Sequence, residues 1–264
     1  MANNIHQQEE DLQRRWLAQA SRNNDAESLC TDGLLFRGSI SFRDGAWHRE
    51  KGPEEAIWAA APRRLLILTK DLNDDEGWDI RQETGRYNEA IFSYERAIAF
   101  YKNLRIWSYL MLTGEPDRMP TFKDARNMNI VGPFYEAAPI VRVNSKKQVG
   151  KDSIADNVLK HYLETYSTLL RDQISLYGAN IIFCCGCSGD TNLLLDFVRS
   201  QCLPDLQLIP DTGDWMYFSP SAGAIAVNSF HPSARIGYED TFNKLAAAFR
   251  AALKWIKTNY NINF

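Results

Sequence analysis

The stretch RRLLILTKD (63–71) decides the fold: four consecutive apolar residues are framed by arginines before and by Thr69, Lys70 and Asp71 after. A half-buried strand alternates apolar and polar residues. An unbroken apolar run with polar ends is how a strand covered on both faces reads, and such strands belong to parallel sheets. Similar runs recur downstream at PIVRV (139–143), NIIFCC (180–185) and AIAVNSF (224–230), each bounded by turn residues. Between them lie segments of helical period. Ala90, Ile91, Tyr94, Ile98, Tyr101, Ile106 and Leu110 line one face; Ile154, Val158, Tyr162, Tyr166, Leu169 and Ile174 line another, with Asp152 and Ser153 as N-caps. Further helices are expected at 191–201 and 238–259. Strands alternating with helices imply a three-layer αβα sandwich around a central, mostly parallel four-stranded sheet.

Residues 1–60 differ in texture. A polar helical start is followed by LLFRGSISFRDGAWHRE (34–50), which reads as a short hairpin, and the whole segment is expected to be an N-terminal cap on a single domain spanning 1–264. The composition, with 45% hydrophobic and 24% charged residues, excludes disordered and collagen-like classes. A formal net charge of −3 provides no global field for polyanions, so any nucleic-acid contact must come from a local basic surface. The polar N-terminus and the absence of an 18-residue apolar run lead us to expect a cytoplasmic protein.

In a sheet of this kind ligands bind beyond the carboxyl ends of the strands. Those positions hold Thr69, Lys70, Asp71 and Asn73; Asn144, Ser145 and Lys146; Gly186, Cys187, Ser188, Gly189 and Asp190; and Asn228, His231, Ser233 and Arg235. Singly, each fits an ordinary polar loop or cap; together they would lie side by side. His231 is the sharpest: preceding Pro232, it is held extended at a strand end, with its ring at the sheet edge. His6, His48 and His161 fall in segments that read as exposed. Cys184 and Cys187 have C-x-x-C spacing, but Cys30 and Cys202 form no second pair, so the cysteines read as buried strand-end residues and neither metal nor cofactor is expected.

These four blocks, in this order across residues 63–258, resemble the uracil-DNA glycosylase superfamily. The resemblance implies that Asp71 in RLLILTKDLND handles the attacking water, and that Asn144 in PIVRVNS reads a flipped base. It places Gly186 and Ser188 of IIFCCGCSGD on the DNA backbone and His231 of VNSFHPSAR at the departing base. Asn73, Phe134 and Tyr135 are further base-binding candidates, with Phe92 behind them; each aromatic fits a core position equally. Lys70, Lys146, Ser233 and Arg235 would contact DNA, within a basic set that includes Arg142, Lys147 and Lys151. Two departures stand out: Thr69 and Leu72 replace the usual glycine and proline around the acidic residue, and Ala234–Gly237 replaces a proline-leucine wedge. The implied activity is hydrolysis of the N-glycosidic bond of uracil or a modified base in DNA. The alternative is a non-catalytic binder of a nucleobase, nucleotide or nucleic acid.

Overall fold

The computed structural model describes residues 4–26, 28–43, 46–73, 76–83, 99–150, 154–188, 191–234 and 236–264. Helix α1 (Ile5–Arg22) leads through β1 (Gly33–Leu34) into β2 (Ile40–Arg43), β3 (Ala46–Arg49) and α2 (Glu54–Ala60). Strand β4 (Leu65–Thr69) is followed by β5 (Leu72–Asn73), a tight turn at Ile80–Gln82, α3 (Ala99–Thr113), α4 (Phe122–Ala125) and α5 (Met128–Ala137). Then come β6 (Ile140–Asn144), β7 (Val149–Gly150), α6 (Asp156–Thr165), α7 (Ser167–Tyr177) and β8 (Ile181–Cys187). The chain ends with α8 (Leu193–Phe197), β9 (Gln207–Leu208), β10 (Met216–Ser219), β11 (Ala224–Phe230) and α9 (Tyr238–Tyr260).

The central sheet has seven strands in the order β1-β6-β4-β8-β11-β10-β9. The four expected strands form its parallel centre. The expected count of four is too low, because β1, β10 and β9 add antiparallel strands at the edges. Two of these are two-residue strands whose pairing is set by tertiary contact, so they leave no periodicity to read. The central strands are buried along their length because both faces are covered, Arg142 in β6 being the one charged residue inside them. Leu65 and Ile67 pack with Trp107 of α3 and Phe249 of α9, whereas Leu66 and Leu68 pack with Leu170 of α7 and Leu194 of α8.

The segment expected as a cap contributes to the fold itself. It supplies β1, and it buries Ile5, Trp16 and Trp58 in the layer that holds α7. The expected hairpin is present as β2 and β3, with Phe42 and Trp47 exposed on it. The helix expected from Ile154 is two helices broken at Tyr166, whose ring stacks on Trp16 at 5.0 Å and whose hydroxyl donates to Asp25 at 3.1 Å. Helix α7 ends at Gly178, where φ of 52° suits a residue without Cβ. The predicted caps Asp152 and Ser153, and the first part of the face from Ala90 to Ile98, lie outside the described residues. Among the described residues no helix is long and apolar enough to cross a membrane.

Candidate functional site

The pairing register brings the four strand ends to one edge. Thr69 lies opposite Asn144, Leu68 opposite Cys184, and Asn228 opposite Cys184, with Phe230 paired to Cys187. Four strands at normal spacing span about 14 Å. Beyond the strands the first two ends stay joined: Ser145 N–H donates to Thr69 O and Lys146 N–H to Lys70 O, both at 2.9 Å. Asn192 joins the other two. Its side chain caps α8, donates to Cys184 O and donates to Asn228 Oδ1, the last two at 2.8 Å. Gly186 is glycine for a visible reason: a Cβ there would sit 2.7 Å from Asn192 Oδ1.

His231 is half-buried at this edge. Its Nδ1 accepts the Ser233 backbone N–H at 3.2 Å, so the neutral ring carries its proton on Nε2. Burial, with the Lys70 and Arg142 cations, pushes its pKa down to about 4, so the ring is neutral at physiological pH. The loop that carries it is pinned from α3, where Asn103 donates to Pro232 O at 2.7 Å. Ser233 itself is exposed and engages His231 through its backbone, which is unlike a nucleophile–base pair.

Asp71 is half-buried beside Lys70 and Lys146. Burial raises its carboxyl pKa, and the two cations oppose that rise. Lys70 acts electrostatically on both Asp71 and His231. Its amine lies 3.7 Å from Asp156.

Other expected residues are placed differently. Asn144 is only 3% exposed: Thr69 Oγ1 donates to its Oδ1, and its Nδ2 donates to Cys30 Sγ at 3.5 Å. Its amide is thus held inside the fold. Tyr135 is buried under α5 with its hydroxyl donating to Glu83 at 3.1 Å, which makes it core rather than a stacking platform. Phe134 is half-buried against Tyr109, edge to face at 5.2 Å.

The basic strip expected after β6 is turned inward. The Lys146 amine donates to the carbonyls of Gln148 and Val149 at 2.8 and 2.9 Å, and Lys147 forms a buried ion pair with Asp32. Arg142 is also buried. These three cations satisfy internal acceptors, which corrects the expectation of a surface strip. Ser188 is exposed at the edge and Gly186 buried behind it. Asn73 lies on β5, paired with β7. Arg235, Lys151, Phe92, Gly189 and Asp190 fall outside the described residues.

The aromatic ring beside His231 is Phe100, in the first turn of α3, with ring centroids 5.8 Å apart. The sequence offered no signal for it, since an aromatic at a helix start is indistinguishable from core. His6, expected to be exposed, is tied to Glu9 and Glu54 at 3.1 and 2.7 Å. Burial pushes the Cys184 and Cys185 thiols up, as expected for inert strand residues. Among the described residues no group of three or more His, Cys, Asp or Glu side chains comes together to hold a metal ion. A cleft of about 470 Å³ opens elsewhere, around Arg63, Glu115, Lys254, Lys257 and Phe264.

What this edge offers is a neutral imidazole N–H donor, a half-buried carboxylate, a cation whose field reaches both, and a neighbouring aromatic face. No model of a known protein family matches the chain, and no curated protein matches it in sequence.

Proposed function

We propose that the protein is a divergent uracil-DNA glycosylase-like hydrolase that cleaves the N-glycosidic bond of a flipped uracil or modified base at the carboxyl edge of the parallel strands. The observation that carries this reading is His231, a half-buried imidazole whose Nδ1 is occupied by a backbone N–H, on the same edge as Asp71. As the bond between C1′ and the base nitrogen breaks, its electron pair passes to the base. The Nε2–H of His231 donates to the base oxygen where that charge gathers, without first transferring a proton. Asp71 takes a proton from water, and the hydroxyl joins C1′. Burial makes this carboxylate a stronger base than an exposed aspartate. With Lys146 and Lys147 turned inward, the described part of the edge has fewer phosphate contacts than the sequence promised. A nucleotide or short single-stranded region is then the better-fitting substrate.

The internal bonds of Asn144 favour a second reading, a binder of the same ligands that performs no chemistry, because a base-reading amide needs its donor and acceptor free. The experiment that separates the two is chromatographic detection of free base from single- and double-stranded DNA containing uracil or other modified bases. The hydrolase reading predicts base release that falls at least about 100-fold in Asp71→Asn. Binding without release, unchanged in that variant, selects the binder; neither binding nor release removes both.

A further inference from the structure

We infer that Arg142, together with Glu83 and Phe100, forms a positioning assembly that fixes the His231 ring at the strand edge. The assembly is continuous in space. Glu83 pairs with Arg142 Nη1, and the same carboxylate accepts the Tyr135 hydroxyl through its other oxygen at 3.1 Å. Tyr101 hydrogen-bonds the guanidinium as well. The Arg142 guanidinium lies over the Phe100 ring, 4.9 Å from its centroid, and that ring lies 5.8 Å from the centroid of His231. Phe100 therefore contacts both a buried cation and the imidazole.

A buried arginine in mid-sheet is costly unless its charge is used or fully paired. Arg142 occupies β6 between Ile140 and Asn144, facing the side of the sheet that carries α3, where its neighbours Leu65, Ile67 and Phe183 are apolar. Glu83 pairs it, but an apolar pair would fill the same space. What the charged pair adds is a cation packed on the Phe100 ring, which itself packs on His231. Burial acts most strongly on His231; among the described residues the charged groups acting on it are, in order, Lys70, at the end of β4, and Arg142. Lys70 has a carboxylate partner in Asp156, whose side chain is 54% exposed, so solvent screens that pair. Arg142 is shielded from solvent and keeps its charge through the buried pair with Glu83. From α3, Phe100 walls the imidazole and Asn103 holds the Pro232 carbonyl, so one helix fixes both the ring and its loop.

The inference concerns the site of the proposed hydrolase, but its test needs no substrate. Nitrogen NMR of the His231 ring, followed against pH, reads tautomer and protonation directly. In the wild type the ring is expected to stay in the Nε2–H form down to about pH 4. In Phe100→Leu, and in the charge-neutral double variant Arg142→Met with Glu83→Gln, the midpoint should rise from there towards the ordinary 6.5. Arg142→Lys, which keeps the cation, should move it less than the double variant does. A wild-type ring that titrates near 6.5 or carries its proton on Nδ1 overturns the inference, and so do folded variants that leave the midpoint unchanged. A protein that releases no base but titrates as described loses the hydrolase reading and keeps this one; base release with a flat titration series does the reverse.

Discussion

Replacing Lys147 with methionine is expected to damage the fold rather than any nucleic-acid contact. The amine donates to Asp32 Oδ1 and Oδ2 at 2.7 and 2.6 Å and to the Asn144 carbonyl at 2.8 Å, and both members of the ion pair are 1% exposed. Methionine matches the stem in length but leaves Asp32 with two donors, the Asn144 N–H at 2.7 Å and Gln173 Nε2 at 2.8 Å. Breaking a buried pair from one side costs about 3–5 kcal/mol, because the remaining charge is neither solvated nor matched. The cation also lies 5.2 Å from the centroid of the Trp16 ring, so its loss loosens α1 as well. Against a total stability of roughly 5–15 kcal/mol this is a large fraction. Urea unfolding followed by tryptophan fluorescence reads it. Adding Asp32→Asn should recover part of the loss, since the amide needs no counter-charge. A loss below about 1 kcal/mol in the single variant would refute the reasoning, because it would mean that the Lys147 charge is already solvated in the native state.

Three further outcomes follow from the same geometry. His6 is held by Glu54 and Glu9; burial opposes its charge, but these bonds win and push its pKa up to about 9 from 6.5. The folded value is the higher one, so the stabilisation is complete below about pH 6.5 and is lost as pH rises through about 9. Screening at a ring that is 12% exposed reduces the contribution to ~2 kcal/mol, and the stability gap between wild type and His6→Gln should shrink by that amount between pH 6 and 10. An equal gap at both pH values contradicts it. Gly186→Ala should cost about 1–3 kcal/mol in urea unfolding, because the new Cβ meets Asn192 Oδ1 at 2.7 Å and Leu194 Cγ at 2.9 Å, and Asn192 is held by its cap; an unchanged midpoint would mean α8 yields easily. Charge reversal at Lys70 should weaken binding of uracil-containing single-stranded DNA and flatten its salt dependence, whereas an unchanged salt slope would remove Lys70 from the phosphate path.

The central strands were legible because double-sided burial writes itself as LLIL, IIFCC and AIAV. Their polar ends were legible because loops at a carboxyl edge must be polar. The direction in which those polar groups point was not. Lys146 and Lys147 read as a solvated loop, yet Asp32, 115 positions earlier, converts one into a buried ion pair and two local carbonyls absorb the other. Asn144 stood at the expected strand end, but Cys30, 114 positions away, and Thr69 occupy its amide. Phe100 was invisible for the opposite reason, since nothing local distinguishes a ring that packs on a histidine from one that packs in the core. His231 could be found because the histidine–proline step constrains its own backbone, a property carried by two adjacent residues.

The proposed hydrolase holds its nucleobase at the edge that carries Asp71 and His231. The most direct test is to follow the His231 and Phe100 ring signals by NMR while uracil-containing single-stranded DNA is added. Both ring signals are expected to move with a common saturation curve, while Phe42 and Trp47 on the exposed hairpin stay fixed. Movement at that hairpin, or at the cleft lined by Lys254 and Lys257, with His231 unmoved, would contradict it.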